Sequence, residues 1–261
     1  MKKFTYLFIA NIFLFFASIN IYSKPNKEDV NKLNNSILFD LFMNYELTLK
    51  SDLLSTIFDY SPTMNKNDKI KNIDMTIAFG KEYQYCTFSF NENGTVNLIT
   101  TQVENMLYKY EFIYKKNKVT EIIIGGKPKI KISYDNNDRI NKISREKSGY
   151  IFEYNFEYVE NENKANIKLV VIDGNNKNPS IQKNYITWNS SFRIESLYFD
   201  AFVSKEIKYN DKGDLVSYLF STSNKDNIPA TWEYIAQDDK GNWTERKSED
   251  TTCKRSIEYY Q

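Results

Sequence analysis

The stretch that decides the fold is Ile207-Lys208-Tyr209-Asn210-Asp211-Lys212-Gly213-Asp214-Leu215, and a close copy stands earlier at Phe88-Ser89-Phe90-Asn91-Glu92-Asn93-Gly94-Thr95-Val96. Each has an apolar residue, an aromatic residue two positions on, then Asn, two polar residues, Gly, a spacer and another apolar residue. Side chains two apart on a strand share one face, and an Asn-rich phrase that closes on Gly is typical of a tight turn. The phrase therefore predicts a strand that turns and leaves as the next strand, and its repetition predicts serial hairpins.

The phrase recurs in register along the chain. With the aromatic position taken as zero, the residues two positions before it and six positions after it are apolar in all five copies. We expect the minus-two and zero positions to be buried on one face of the sheet. The zero positions are Phe90, Tyr134, Trp188, Tyr209 and, in place of an aromatic, Gln237; the minus-two positions are Phe88, Ile132, Ile186, Ile207 and Ile235; the plus-six positions are Val96, Ile140, Ile194, Leu215 and Trp243.

The turn position, four residues beyond the aromatic, differs among the copies. It is Gly94, Gly213 and Gly241 in three of them, where a positive φ costs Gly nothing. It is Asp138, which tolerates that conformation, in a fourth. Because Phe192 occupies it in the fifth, we expect that hairpin to use a different turn.

Two weaker copies lie between the strong ones. The phrase from Tyr114 to Val119 is one residue short, and the phrase from Tyr158 to Asn163 holds an insertion. Successive anchors are thus about 20 to 30 residues apart, enough for two strands and two turns. This spacing fits true internal repetition, and it also fits any antiparallel meander with Asn-Gly turns.

The phrases Tyr209-Asn210-Asp211-Lys212-Gly213-Asp214-Leu215 and Tyr134-Asp135-Asn136-Asn137-Asp138-Arg139-Ile140, with the closing Asp239-Lys240-Gly241-Asn242-Trp243-Thr244, resemble the degenerate YD (Rhs-like) repeats of secreted and surface bacterial proteins. The resemblance covers roughly residues 85 to 250 and implies extended β-structure. Large members form shells that enclose toxin domains, and small members are uncharacterised periplasmic or surface proteins. This chain is expected to be far too short to enclose anything, it shows no toxin domain after the repeats, and no functional residue carries over.

Composition bounds the function classes. The 261 residues include 16% aromatics, which is ample for one sizeable core, so we expect one domain with or without an N-terminal appendage. The net charge is +1, which offers no field to attract nucleic acid or anionic lipid. We therefore expect no nucleic-acid partner.

The chain contains no His, which excludes Ser-His-Asp and Cys-His catalysis and His-ligated metals. A carboxylate pair remains possible, because a glycosidase needs only two acidic residues about 5 to 10 Å apart. Glu153, Glu157 and Asp173 are candidates, although 34 acidic residues supply such pairs by chance. No catalytic residue, metal or cofactor is predicted.

The N-terminus has the form of a secretory signal. Lys2 and Lys3 precede the apolar stretch 4–21, so we predict a signal peptide over residues 1–23 with cleavage after Ser23. The alternative is an uncleaved anchor helix, which would be the chain's only link to a membrane. Export places the protein in the periplasm or outside the cell.

Beyond the signal, the chain divides once. Residues 24–68 form a helical and irregular segment, with helical spacing of apolar residues from Asp29 to about Tyr45 and an ambiguous stretch from Leu47 to Tyr60. Residues 69–261 form the antiparallel β-repeat domain. The predicted fold is mainly β, a curved antiparallel meander with the short N-terminal helix packed on it or at one end.

Cys86 and Cys253 are the only two cysteines. In an oxidising compartment they could form a disulfide that ties the first strong hairpin to the last strand, for about 4 to 5 kcal/mol of stability. The alternative is two separate buried thiols.

The preferred hypothesis is a non-enzymatic exported binding or scaffold protein that presents aromatic side chains to a glycan or protein partner. Trp188, Trp232 and Trp243 are the candidate binding residues, and Trp232 is the one outside the regular repeat positions. The alternatives are a secreted carboxylate-dependent hydrolase acting on polysaccharide and, less favoured, an outer-membrane barrel.

Overall fold

The computed structural model of the chain describes residues 25–43, 69–80, 82–103, 106–174, 179–199, 202–222, 226–249 and 251–261. The predicted signal peptide, the ambiguous stretch Leu47 to Tyr60 and most of the 24–68 segment lie outside the described residues. The prediction of a mainly β fold is confirmed.

One helical stretch and seventeen antiparallel strands make up the described chain. Helix α1 spans Lys27–Asn35 and continues as a π-helical segment, Ser36–Met43. The strands are β1 Ile70–Phe79, β2 Glu82–Phe90, β3 Val96–Val103, β4 Met106–Lys115, β5 Lys118–Ile124, β6 Lys127–Tyr134, β7 Ile140–Lys147, β8 Tyr150–Tyr158, β9 Lys164–Asp173, β10 Ser180–Trp188, β11 Ile194–Phe199, β12 Phe202–Tyr209, β13 Leu215–Thr222, β14 Ile228–Thr231, β15 Glu233–Gln237, β16 Trp243–Lys247 and β17 Thr251–Tyr259.

The strands form one curved sheet that nearly closes on itself. Each strand from β1 to β14 pairs with its sequence neighbours, and β15, β16 and β17 do the same. The last strand, β17, also pairs with β1 in register, with Ile77 opposite Cys253. The remaining gap lies between β14 and β15. A single residue, Trp232, separates these two strands in the sequence, and the Trp232 backbone N–H donates to the Val216 carbonyl at 2.8 Å.

The repeated turn explains the serial hairpins. At Asp135, Asn189, Asn210 and Asp238 one side-chain oxygen accepts from the backbone N–H groups two and four residues later, at 2.8 to 3.1 Å. This side chain therefore substitutes for a backbone partner inside the turn. The prediction that Phe192 uses a different turn is wrong: Phe192 has φ +58° and its N–H donates to the Asn189 carbonyl, as in the Gly-containing copies.

A tyrosine hydroxyl joins successive repeats. Five of the anchor positions carry a tyrosine that donates to a carbonyl at the start of the strand that follows the preceding turn, at 2.5 to 2.9 Å. In three cases the side chain just before that carbonyl places its positive charge over the same ring, at 4.1 to 4.9 Å. Burial raises the pKa of the Tyr158 and Tyr209 hydroxyls, which keeps them protonated as donors. The donor and acceptor pairs are Tyr114 with Val96, Tyr134 with Val119, Tyr158 with Ile140, Tyr209 with Ile194 and Tyr234 with Leu215.

The last copy departs from the predicted register. The minus-two residues Phe88, Ile132, Ile186 and Ile207 are buried, whereas Ile235 is 46% exposed. A β-bulge between Tyr234 and Gln237 shifts the inward side of β15, so that Tyr234 and not Gln237 takes the aromatic anchor position. The two weak copies have the lengths that the sequence predicts. The copy after Tyr114 is one residue short and forms a tight turn in which Lys116 and Asn117 have positive φ. The copy after Tyr158 holds one extra residue before Ala165.

The helical stretch lies inside the curved sheet. Its residues from Ser36 to Met43 are buried on nearly every side, with only Phe39 partly exposed. Phe39 packs on Phe112 of β4, and Phe42 packs edge-on against Tyr154 of β8, with ring centroids 5.6 and 5.5 Å apart. The expectation that the chain is too short to enclose anything is therefore wrong, because the sheet encloses its own N-terminal helix.

Polar contacts fix the helix to two of the repeated turns. The Asn34 side chain donates to the Asp138 carbonyl and accepts from the Ile140 N–H, at 2.8 and 2.9 Å. The Ser36 hydroxyl accepts from the Ile194 N–H at 3.1 Å and donates to the Asp40 carboxylate at 2.6 Å. Since these bonds satisfy backbone groups at the sheet end, they also set the depth of the helix.

Cys86 and Cys253 are both buried free thiols in the structure, which is the second of the two alternatives that the sequence leaves open. They lie on β2 and β17, the two strands that flank β1. Cys86 is opposite Met75 and Cys253 is opposite Ile77, so two strand spacings and a two-residue offset separate their backbones by roughly 12 Å, which is beyond the reach of a disulfide. Burial raises the pKa of the Cys86 thiol.

Candidate functional site

The three tryptophans proposed as binding residues are all buried, so no indole face is open to a ligand. Trp188, Trp232 and Trp243 are 6%, 7% and 2% exposed. Trp188 packs edge-on against the ring of Tyr158. Trp232, the one outside the regular repeat positions, is buried like the other two, and a binding role for any of them stays a prediction.

Trp232 and Trp243 belong to a cation–π stack at the gap in the sheet. The Arg246 guanidinium lies 4.1 Å from the centre of the Trp232 ring and 4.7 Å from the centre of the Trp243 ring. The Arg255 guanidinium also contacts Trp243, 3.8 Å from the centre of its ring. Arg255 also donates to the Trp243 carbonyl. Burial lowers the pKa of Arg255 to about 10, against the opposing attraction of Asp214. This arrangement joins Trp232, at the gap, to β16 and β17.

The acidic candidates do not converge. Glu153 and Glu157 lie four residues apart on the outward side of β8, so their backbones are about 13 Å apart. Glu153 forms an ion pair with Lys142 at 2.6 Å. Asp173 stands at the far end of β9, opposite Tyr150. This separation exceeds the 5 to 10 Å range that a glycosidase pair needs.

A shallow open depression of about 600 Å³ lies at the turn end of β9, β10 and β11. Sequence reasoning missed it, because its lining comes from two turns that only the strand pairing brings together. Next to it, the rings of Tyr185 and Tyr198 stack at 4.0 Å, and the Lys164 ammonium lies over Tyr185. The lining residues are Glu162, Asn163, Lys164, Thr187, Trp188, Asn189, Ser190 and Glu195.

The most exposed aromatic side chains stand on the outward side of β2. Tyr83 and Tyr85 are 59% and 52% exposed, and Leu107 on β4 is 60% exposed. Strand pairing aligns Tyr85 with Gln102 of β3, and Gln102 in turn with Leu107. We define the tyrosine face as the eight outward positions of β1 to β4 at this end: Thr76, Ala78, Tyr83, Tyr85, Thr87, Thr100, Gln102 and Leu107.

The tyrosine face carries no charged side chain. Charges begin at its border with Asp74, which accepts from the Thr87 hydroxyl at 2.7 Å, and with Lys109 and Lys254. By contrast, the outward sides of β6 to β8 carry ion pairs such as Lys129 with Glu146 and Lys142 with Glu153. The sequence contains a signal for this face in the stretch Tyr83-Gln84-Tyr85-Cys86. Successive side chains of a strand point to opposite sides, so the inward side chains of Gln84 and Cys86 place both tyrosines outward.

The part of the chain that the structure describes lacks two features. Neither helical segment there has the length and apolarity that a membrane-spanning helix needs. Within the same residues, no group of three or more Cys, Asp and Glu side chains is arranged to hold a metal ion.

Comparison with known proteins adds little. No protein-family model and no curated protein matches the chain. Among solved structures, a Photorhabdus luminescens Tc holotoxin pore is similar to 68% of this chain, with a TM-score of 0.29 and 9% sequence identity. The chain spans only 12% of the length of that protein's chain. This likeness does not show that the chain belongs to a family.

Proposed function

We propose that the protein is an exported, non-enzymatic binding or scaffold protein that presents aromatic side chains on its outer surface to a glycan or protein partner. The observation that carries this proposal is the tyrosine face, where Tyr83, Tyr85 and Leu107 stand together with more than half of each side chain exposed. Adjacent exposed aromatic and apolar residues mark interaction surfaces more often than isolated ones do.

The filled interior supports a function on the outer surface. Ile37, Leu38 and Phe42 of the helix are 0 to 4% exposed and pack against the inward side chains of the sheet. A ligand inside would have to displace these side chains, at a cost of about 2 kcal/mol or more for each. The outer surface offers contacts without that cost.

The predicted signal peptide and the resemblance to Rhs-like repeats support export. Fractionation of cells into cytoplasm, periplasm, membrane and medium tests it, with detection by an antibody against the folded protein. We expect the protein in the periplasm or the medium, at a mass reduced by the leader. Protein found entirely in the cytoplasm would overturn the exported part of the proposal.

The binding part is tested with the exported protein purified from the fraction that contains it. The immobilised protein is incubated in parallel with polysaccharide and with protein extracted from the cell envelope. We expect one component to be retained by the wild type and by Tyr150→Ala, and lost by Tyr83→Ala/Tyr85→Ala. Tyr150 is a matched control, because it is 42% exposed and lies on β8. Retention that is equal in all three proteins would contradict the proposal.

A polysaccharide hydrolase is the second candidate, favoured only by the open depression, which places Glu162 and Glu195 on one concave surface beside Trp188. The preferred proposal expects no release of reducing ends from any polysaccharide on incubation with the protein. Hydrolysis that disappears in Glu195→Gln and Glu162→Gln would establish the second candidate instead.

A further inference from the structure

We propose that the tyrosine face binds a neutral oligosaccharide, or a neutral segment of a polysaccharide. This inference rests on the proposed function and names the ligand class and the residues of that binding surface. Four observations on the face support it: its aromatic geometry, its lack of charge, its size and its rigidity.

The geometry provides apolar faces with hydrogen-bonding groups beside them. Tyr83 and Tyr85 are two apart on β2, so their rings project from backbone positions about 6.8 Å apart on one side of the strand. A pyranose ring has an apolar C–H face that packs on an aromatic ring, and hydroxyls at its rim that need donors and acceptors. The Thr100 hydroxyl, opposite Thr87 on β3, can both donate and accept, and the Thr87 hydroxyl, which donates to Asp74, can still accept.

The lack of charge selects among ligands. A sulfated or uronic-acid polysaccharide, a nucleic acid or an anionic lipid surface binds through Lys and Arg, and none lies within the face. The nearest cations, Lys109 and Lys254, are at the border, and the carboxylate of Asp74 stands at the same border. An uncharged ligand can bind between these border groups without bringing a charge of its own that lacks a partner.

The size of the face argues against a stable protein partner. A stable protein–protein interface uses about 20 to 30 residues and about 800 Å² from each partner. The face offers eight outward positions before charged residues begin. That area matches a few sugar rings rather than a folded domain.

The face is also rigid before any ligand arrives. Strand β2 pairs with β1 on one side and β3 on the other, and its inward residues Cys86 and Phe88 are 2% and 0% exposed. The two tyrosines therefore lose little backbone entropy on binding, which favours measurable affinity from a small contact.

The test is affinity electrophoresis of the exported protein through native gels that contain a neutral polysaccharide, with parallel gels that contain an acidic polysaccharide or none. We expect retardation by at least one neutral polysaccharide and none by acidic ones. Tyr85→Ala should weaken the apparent affinity about tenfold, Tyr85→Phe should keep it, and Tyr150→Ala should match the wild type. Because Tyr85 is exposed, its variants fold, and thermal unfolding of each checks this.

The outcomes separate this inference from the proposed function. Retardation by acidic polysaccharides alone, or neutral retardation unaffected by Tyr83→Ala/Tyr85→Ala, would overturn the inference. If neutral polysaccharides give no retardation while an envelope protein is retained through Tyr83 and Tyr85, the inference fails and the proposed function stands. If neither assay detects a ligand, both fail.

Discussion

At the residue scale, one side-chain oxygen directs each of four repeated turns of this protein. The oxygens of Asp135, Asn189, Asn210 and Asp238 hold the same two backbone N–H groups whether the turn position is Gly, Asp or Phe. The turn is thus specified more by the Asx residue that opens it than by the residue at positive φ that closes it. Sequence reasoning gave too much weight to the closing residue, which is why Phe192 was misjudged.

Asp238 makes this turn sensitive to acid. Although burial acts in the opposite direction, hydrogen bonds from the Tyr259 hydroxyl and from the backbone of Asn242 and Lys240 lower the pKa of Asp238 below its ordinary 3.8. The carboxylate therefore stabilises the folded state above about pH 4, and this stability is lost as the pH falls through the lower folded value.

We expect Asp238→Asn to keep the turn, since Asn occupies the same place at Asn189 and Asn210. The unfolding free energy should depend less on pH below about pH 4 than in the wild type. Urea unfolding at a series of pH values measures this. An unchanged pH profile would show that Asp238 does not gain its stability from ionisation.

The tyrosine hydroxyls between repeats are individually testable. In Tyr158→Phe the Ile140 carbonyl loses its side-chain donor inside a partly buried site, while the ring remains. We expect a loss of about 1 kcal/mol in the free energy of unfolding. Tyr150→Phe, at an exposed position, should leave it unchanged; equal effects of the two substitutions would contradict the role given to the Tyr158 hydroxyl.

At the element scale, an ion pair between a buried carboxylate and a partly buried guanidinium secures the helix within the sheet. Arg193 contacts the Asp40 carboxylate at 3.0 Å and donates to the Gly213 carbonyl at 2.8 Å. Although burial opposes its charge, Asp40 and Tyr209 raise the pKa of Arg193 above its ordinary value. One helix residue is therefore tied through one guanidinium to two hairpin turns.

We expect Arg193→Met to lose about 3 to 5 kcal/mol of stability, because it leaves the Asp40 carboxylate buried without its cation. The double variant Asp40→Asn/Arg193→Met should recover part of that loss, because both buried charges are then removed. Chemical denaturation of the wild type, both single variants and the double variant completes the cycle. Strictly additive effects would show that the two side chains do not interact.

The helix also shows what the sequence pattern could and could not predict. Apolar spacing from Asp29 predicted a helix with one wide buried face, and the observed helix begins two residues earlier, at Lys27. The pattern could not show that the second half is buried around most of its circumference, because Asp40 and Ser36 read as solvent-facing polar residues. Their partners, Arg193 and the Ile194 N–H, lie more than 150 residues away along the chain.

At the scale of the whole molecule, the closure of the sheet determines which surfaces remain available. Local turn phrases predicted the order of hairpins because each pairs neighbouring strands. The pairing of β1 with β17 depends on curvature accumulated over all the hairpins, so no local phrase indicates it. The same closure buries Trp232 and Trp243 and leaves Tyr83 and Tyr85 outside, a difference that no local phrase indicates.

The reactivity of the two cysteines tests whether the sheet is closed as described. We expect neither Cys86 nor Cys253 to react rapidly with a thiol reagent in the native protein, because both are buried and burial raises the pKa of Cys86. Both should react at once in guanidinium without a reductant. Denatured protein that reacts only after reduction would mean that the two cysteines form a disulfide, and the pairing of β1 with both β2 and β17 would then be wrong.

The most direct test of the central claim is the nuclear Overhauser contacts between the backbone protons of β1 and β17 in the labelled protein. The closed sheet predicts contacts that link Ile73 with Ile257 and Ile77 with Cys253, alongside those that link β1 with β2. Contacts between β1 and β2 with none between β1 and β17 would contradict the account, because the sheet would then be open and the N-terminal helix would not be enclosed.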